Sequence, residues 1–109
     1  MKINEYQKLA LRTASTLEPD KLVLNGVLGL NGESGEVADH VKKHLFQGHE
    51  LDKDNLAKEL GDICWYIAIM AEGLGYSLEE VMQMNVDKLM KRYPNGFEAE
   101  RSLHREENQ

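Results

Sequence analysis

The stretch LAKELGDICWYIAIMAEGL, residues 56–74, carries the strongest helical signal in this chain. Its large apolar residues recur in alternating steps of four and three, as one face of an α-helix requires. They are Leu56, Leu60, Ile63, Ile67, Met70 and Leu74. Because the pattern continues without a gap until Gly75, it predicts a long helix that packs against other helices.

Helical patterns also lie on both sides of this stretch. Residues 4–17 predict a first helix that ends before Pro19, and residues 21–46 predict a long second one. The buried stripe predicted for the second helix consists of Val27, Leu30, Ser34, Val37, Val41 and Leu45. Asp52 or Asp54 would cap the third helix at its start.

The last part of the chain predicts a fourth helix and a polar tail. Ser77 and Glu80 have the spacing of a capping box, and the helix after them would end near Arg92. Residues 98–109 predict a polar, frayed tail. At 109 residues the chain predicts a single all-α domain over residues 1–109, similar to a four-helix bundle.

Composition excludes several classes of function. The net charge of −6 disfavours a nucleic-acid polymer as partner, because phosphate backbones require clusters of Lys and Arg. The single cysteine, Cys64, rules out a disulfide within the chain and favours a reducing compartment. We find neither an apolar leader nor a stretch long enough to cross a bilayer, so the prediction is a cytoplasmic protein without a membrane partner.

Two pairs of acidic residues suggest a metal site. Glu33 and Glu36 stand in GLNGESGEVADH, residues 29–40, and Glu59 and Asp62 stand on the third helix. Side chains three apart on a helix are neighbours, so each pair can present two carboxylates together. If the apolar seams beside the pairs pack together, the four carboxylates converge, and a hard divalent cation such as Mg²⁺ would offset their repulsion.

The glycines around these acids would weaken a helix, since each costs ~0.5–1 kcal/mol relative to Ala. We expect Gly29 and Gly32 to leave room beside the acids for a bulky ligand. We expect Gly35 and Gly61 to permit close packing of helices.

Spacing alone leaves other interpretations open. A single E-x-x-E is typical of a solvated helix face, and the chain could be a non-catalytic helical interaction or nucleotide-binding module. A di-iron carboxylate bundle fits less well, because its Glu-x-x-His pairs would need histidine where Glu36 and Trp65 stand.

Three blocks together resemble the MazG-like family of all-α nucleoside triphosphate pyrophosphohydrolases. They are GLNGESGEVADHVKK, KELGDICWYIAIMAEGLG and NVDKLMKRYPNGF, within a likeness that covers roughly residues 5–97. The resemblance implies that Glu33, Glu36, Glu59 and Asp62 bind Mg²⁺, for which Mn²⁺ could substitute. It also implies that water attacks the α-phosphorus of a nucleoside triphosphate, with Glu36 as the base. The family often has glutamate where this chain has Lys58, so a further ligand at that position is missing.

Residues around the acids are candidates for binding substrate. Asn85 falls within the predicted buried stripe of the fourth helix, and Lys88 and Arg92 follow it in the third family block. Tyr66 lies one turn beyond Asp62. Trp65 would point away from the apolar seam of the third helix, where it could stack on a base or join a subunit interface. Together with Ile69 it predicts a homo-oligomer, either a dimer or a tetramer.

Overall fold

The computed structural model describes residues 1–14 and 16–104, which form five helices and no strand. In chain order these are α1 (Ile3–Leu11), α2 (Pro19–Gln47), α3 (Lys53–Gly73), α4 (Leu78–Arg92) and α5 (Ala99–Leu103). The all-α prediction is confirmed, and the four predicted helices are present. The short α5 lies in the segment predicted to be a frayed tail, whose residues 105–109 lie outside the described part of the chain.

The first helix ends six residues earlier than predicted, at Leu11. After it, the amides of Arg12, Thr13 and Ala14 bond to carbonyls three residues back, which is the tighter pattern common at helix ends. The Ala10 carbonyl also accepts the Thr13 hydroxyl at 3.1 Å and the Trp65 indole N–H at 3.0 Å. These contacts satisfy it without a further turn of α-helix. Ser15, within the predicted helix, lies outside the described residues.

The long helix α2 begins at Pro19, two residues before the predicted start. Proline suits a first helical position because the N–H that it lacks would have no partner there. The helix ends at Gln47, and the next residue, Gly48, caps it. Its φ of 74° lies in the left-handed region, and its amide bonds to the Lys43 carbonyl. Asp52 then caps α3 by accepting the Asn55 amide at 3.0 Å, as one of the two predicted caps.

Helices α2 and α3 run antiparallel and approach through glycines. A Cβ added at Gly26 would lie 2.6 Å from Cβ of Met70, and one at Gly73 would lie 2.7 Å from the Pro19 carbonyl oxygen. At the other end of the pair, the backbone amide of Asp52 donates to Nε2 of His40 at 3.1 Å. The contact therefore extends along most of both helices.

The face of α2 that meets α3 is not the predicted one. Val27, Ser34 and Leu45 of the predicted stripe are exposed, whereas Leu22 and Gly26 are buried. The predicted seam of α3 is also displaced, because Leu60 and Leu74 are exposed whereas Ala68, Ile69 and Ala71 are buried. Both helices carry apolar residues on more than one side, so periodicity alone selected the wrong face.

Helix α1 and the turn that follows it cover the buried side of α3. Ala10 of α1 packs with Ala68 and Leu78, and Ala14, in the turn after α1, packs with Leu22 of α2 and Ile69 of α3.

The buried side-chain amide of Gln7 bonds to the backbone of the segment that connects α3 to α4. Gln7 is 4% exposed, and its side-chain oxygen accepts the Leu78 amide at 2.8 Å. Its nitrogen lies 3.3 Å from the Ala68 carbonyl oxygen and 3.2 Å from that of Tyr76. Gln7 thus satisfies backbone groups that the turn after α3 would otherwise leave buried without partners.

The chain divides into two compact units, Met1–Leu78 and Glu79–Gln109. The first unit contains α1, α2 and α3. In the second, the guanidinium of Arg101 in α5 donates to the carbonyl oxygens of Lys91 and Arg92, at the end of α4. Among the described residues, no helix combines the length and apolar character needed to cross a bilayer.

Candidate metal centre

Three of the four predicted acids converge between α2 and α3. Glu33 comes from α2, and Glu59 and Asp62 come from α3. One carboxylate oxygen of each lies within 4.8 Å of the others. The convergence follows from the antiparallel pairing, because the glycine-rich face of α2 carries Glu33 directly against the middle of α3.

The cluster has no ion-paired partner within its own unit. Among the described residues of 1–78, no lysine, arginine or histidine forms an ion pair with any of the three acids. Lys42 and Lys43, further along α2, are bound to Asp39, at 3.4 and 2.9 Å. A hydrogen bond from Lys43 is the main reason why the pKa of Asp39 is lowered.

A hydrogen bond with Glu59, burial and the neighbouring acidic charges together raise the pKa of Glu33 to about 7. The largest cause is a side-chain hydrogen bond with Glu59, which requires one of the two carboxyl groups to be protonated. Burial adds to it, followed by the charges of Glu36, Glu59 and Asp62. A raised pKa of this kind means that the three acids resist being ionised together unless a positive charge is added.

The donor set fits a hard divalent cation. Oε2 of Glu33 and Oε2 of Glu59 are buried, and with both groups ionised neither atom has a hydrogen-bond donor among the described residues. The only hydrogen bond described for this pair is the one that a proton shared between the two carboxyl groups would make. Buried oxygens normally have a partner, and a cation would provide one. All three groups are carboxylates, which suit Mg²⁺ or Mn²⁺ better than a metal that prefers sulfur or imidazole.

Glu36 is not one of these converging oxygens. It lies one turn beyond Glu33 on α2, its side chain is exposed, and its charge contributes to the raised pKa of Glu33. It is therefore near the cluster without joining its three-carboxylate core. A role for Glu36 as ligand or as base remains a prediction.

The ring of Tyr66 lies between α2 and α3, one helical turn from the acids. Its ring occupies the space beside Gly29, where an added Cβ would lie 2.0 Å from Cε1 and 2.3 Å from Cζ. Gly29 stands four residues before Glu33, and Tyr66 stands four residues after Asp62. The ring therefore forms a wall next to the cluster, a position compatible with the predicted substrate contact.

The glycines play different parts from those expected. Gly29 accommodates the Tyr66 ring and does not leave open space, so that expectation is wrong. No atom of the described residues lies within 4 Å of a Cβ added at Gly32, Gly35 or Gly61. The space expected at Gly32 is present, but Gly35 and Gly61 do not serve helix packing within the described chain.

Trp65 lies against α1, not on an outer face as predicted. Its indole N–H donates to the Ala10 carbonyl and to the Thr13 hydroxyl, both at 3.0 Å. Its ring meets Tyr66 edge to face, with centroids 5.1 Å apart. Ile69, which had supported an exposed interface together with Trp65, is fully buried. The error arose because the sequence does not reveal that α1 covers this side of α3.

The residues predicted on α4 are mostly exposed. Asn85 is exposed and not within a buried stripe, since Met82 and Leu89 of that stripe are exposed as well. Lys88 is exposed, whereas Arg92 is half-buried, with its Nε enclosed and lacking a hydrogen-bond partner among the described residues. Their contacts with a substrate stay predictions.

The sequence is similar to known proteins across this region. A family model described as the MazG nucleotide pyrophosphohydrolase domain matches residues 24–97. The Gene 37 protein of Mycobacterium phage L5 is 41% identical over 73 residues, which cover 63% of this chain and 64% of that protein. A Bacillus subtilis (strain 168) protein, "Uncharacterized protein YvdC", is 46% identical over 70 residues, which cover 56% of this chain and 66% of that protein. The chain thus matches slightly less than two thirds of each relative's length, and no solved structure matches.

Proposed function

Because this chain belongs to the MazG nucleotide pyrophosphohydrolase family, we propose that it hydrolyses nucleoside triphosphates to a nucleoside monophosphate and pyrophosphate. The observation that carries the proposal is the convergence of three carboxylates, one oxygen of each within 4.8 Å of the others, without an ion pair to any cationic side chain among the described residues of 1–78. We further propose housekeeping of the nucleotide pool as the role of this reaction.

Glu33, Glu59 and Asp62 would hold Mg²⁺, for which Mn²⁺ could substitute. When bound, such an ion supplies positive charge against phosphate oxygens and makes water more acidic. The three carboxylates alone would repel a triphosphate, so they would orient it only by fixing the position of the cation through which its phosphate oxygens bind. The ring of Tyr66 beside them would limit where the substrate and water can enter.

Glu36 would act as the general base. An exposed carboxylate one turn from the cluster can accept the proton of a water that attacks the α-phosphorus. The bond from the α-phosphorus to the bridging oxygen then breaks, and pyrophosphate leaves. Its place outside the three-carboxylate core favours this role over that of a fourth ligand.

Asn85, Lys88, Arg92 and Tyr66 are proposed substrate contacts. For the three residues of α4 the support is the third family block in the sequence, where an amide and two cations would match phosphate oxygens. Trp65 is left out of the set, because its indole N–H is already engaged by α1.

Several broader properties belong to the same proposal. Residues 1–109 would act as a single domain in the cytoplasm, as a homo-oligomer, with a nucleotide as substrate and without a nucleic-acid polymer as partner. The second candidate function is a non-catalytic module that binds nucleotides or a helical partner. It is supported by the exposed position of most predicted substrate contacts.

The test is incubation with a panel of nucleoside triphosphates and Mg²⁺ or Mn²⁺, with separate assays for pyrophosphate and orthophosphate. We expect pyrophosphate from at least one nucleotide. Release of orthophosphate alone would contradict attack at the α-phosphorus. No product from any nucleotide, despite a metal-dependent rise in Tm, would favour the non-catalytic module.

A pair of substitutions tests the proposed metal ligands. Glu59→Gln should abolish turnover while the helical circular dichroism signal persists. Glu50→Gln is the matched control, since Glu50 is exposed and lies outside the carboxylate cluster. Turnover that survives Glu59→Gln would exclude the ligand role of Glu59.

A further inference from the structure

Asn25 carries a half-buried side-chain amide on α2. It stands next to Gly26, where α2 and α3 are in contact, yet its amide forms no hydrogen bond with another described residue of 1–78. The buried amide of Gln7 differs, because it bonds to three backbone groups and so stabilises the fold. An asparagine amide offers one acceptor oxygen and two N–H donors, so Asn25 can bond to a ligand.

Asn25 is aligned with the proposed base along α2. It stands eleven residues before Glu36, about three turns, and the two lie within about 20° of one line at ~100° per residue. Gly32 lies between them, also about 20° from Asn25. No atom of the described residues lies within 4 Å of a Cβ added at Gly32, so the surface between the amide and Glu36 is open there.

An aromatic ring and an apolar side chain flank this line. On one side, the Tyr66 ring fills the space beside Gly29, about 40° from Asn25. On the other side, Leu28 lies about 60° from Asn25 and is 64% exposed. Sites for small organic ligands combine apolar walls of this kind with a few placed polar groups. The surroundings of Asn25 therefore suit a flat apolar ring with a polar edge.

The spacing between Asn25 and the carboxylate cluster matches the size of a nucleotide. Asn25 stands eight residues before Glu33, which is about 12 Å along the axis at 1.5 Å per residue. If the α-phosphorus lies at the acids, the sugar and the base can together extend over this distance. The Tyr66 ring and Leu28 lie at an intermediate level, so a base can enter between them with its edge toward Asn25.

The amide of Asn25 matches the polar edge of a nucleobase. Each common base carries a hydrogen-bond donor beside an acceptor on its pairing edge, and an asparagine amide presents the complementary pair. The ionised carboxylates of the cluster are acceptors only and cannot do this. On α3, the Trp65 indole N–H is engaged by Ala10 and Thr13, and Met70 offers no N–H or O–H donor on its side chain.

We infer that Asn25 bonds to the edge of the nucleobase and so determines which bases the chain distinguishes. The inference rests on the proposed function in one respect, because the triphosphate must bind at Glu33, Glu59 and Asp62. It does not require hydrolysis, since a non-catalytic nucleotide-binding module would recognise a base in the same way.

The test is titration calorimetry in Mg²⁺ with the α,β-methylene analogues of four nucleoside triphosphates, in which the α–β bridge cannot be hydrolysed. Inorganic tripolyphosphate, which has no base, is titrated in parallel. Asn25→Ala should raise the Kd of the tightest analogue at least about fivefold, as for the loss of a bidentate contact between an amide and a base, and leave that of tripolyphosphate unchanged. Asn31→Ala is the matched control, because Asn31 is exposed on the same helix about 120° from Asn25. It should change neither Kd.

Three results would overturn the inference. Equal losses for the analogue and for tripolyphosphate would mean that the amide acts on the fold or on the phosphates. No loss for either ligand would exclude the contact. A parent that binds no analogue, or binds tripolyphosphate as tightly as every analogue, would show that no base is recognised. Failure of the proposed reaction has a different signature: the parent would release no pyrophosphate, while the effect of Asn25→Ala on analogue binding would persist.

Discussion

Replacing Gly29 by alanine should destabilise the protein, although alanine is the better helix former. The new Cβ would lie 2.0 Å from Cε1 of Tyr66 and 2.3 Å from Cδ1 and Cζ, whereas carbon atoms pack at ~3.5–4.0 Å. The ring would have to move against Trp65, which it meets edge to face. Overpacking of this kind costs ~1–3 kcal/mol.

Gly32→Ala is the matched control on the same helix, three residues further on. No atom of the described residues lies within 4 Å of its added Cβ, so only the gain in helix propensity remains, ~0.5–1 kcal/mol. The same gain applies to Gly29→Ala, which leaves a net loss of up to ~2.5 kcal/mol there. The difference in stability between the two variants therefore equals the cost of the clash with the Tyr66 ring.

The assay is thermal unfolding followed by circular dichroism. For a domain of about 100 residues, 1 kcal/mol shifts Tm by ~4–8 °C, so Gly29→Ala should melt at least ~4 °C below Gly32→Ala. Removing the Tyr66 ring should reverse the effect of the substitution on Tm: in a Tyr66→Ala background, Gly29→Ala should stabilise the protein. Equal Tm values for the two glycine variants, or a loss that persists without the ring, would refute the packing argument.

Three further predictions concern a buried amide, the acidic cluster and a helix cap. Gln7→Leu removes the acceptor of the buried Leu78 amide and two further hydrogen bonds, and should lower the free energy of unfolding by about 2–4 kcal/mol in urea titrations. Without metal, Glu33 should destabilise the fold as pH rises from 4.5 to about 7, because the folded chain keeps a proton that the unfolded chain releases. Glu33→Gln should therefore gain in Tm relative to the parent between pH 5 and pH 8 in EDTA. Asp52→Ala should cost ~0.5–2 kcal/mol in urea titrations, since it removes the side-chain acceptor of the Asn55 amide.

Each of these three predictions has a control and an outcome that contradicts it. Gln83→Leu, at an exposed glutamine, should change stability little, and an equal effect at Gln7 would argue against the buried network. A difference in Tm between parent and Glu33→Gln that does not vary with pH would contradict the shared proton. Asp54→Ala, in the first turn of α3, should lower the free energy of unfolding less than Asp52→Ala. A larger loss for Asp54→Ala would contradict the assignment of Asp52 as the cap.

The presence of the helices and the identity of the acids could be predicted from the sequence for a local reason. Steps of three and four residues fix which side chains share a helix face, and turn residues mark the ends. The same geometry paired Glu59 with Asp62 before any tertiary structure was known. That Glu33 would meet them was predicted on the condition that the apolar seams of the two helices pack together. The acids do converge, although the helices meet through other faces.

What the sequence could not reveal depends on contacts between distant segments. The helical periodicity predicts that Leu60 is a core residue, but Leu60 is exposed, and Ala68 and Ile69 are buried instead. The close approach at Gly29 becomes intelligible only when the Tyr66 ring is known to lie there. Likewise, Trp65 has an exposed position on an isolated α3 and becomes enclosed only when α1 is added.

The segment that matches the family model begins at residue 24, yet part of the folding unit lies before it. Gln7 and Ala10, both outside the match, bind the Leu78 amide and the Trp65 indole. A truncated chain starting at residue 24 would expose Ala68 and Ile69 to water and remove the protein acceptors of those two donors. A domain boundary drawn from family similarity alone would therefore yield a fragment prone to aggregation, and expression of this protein for biochemistry should retain its first helix.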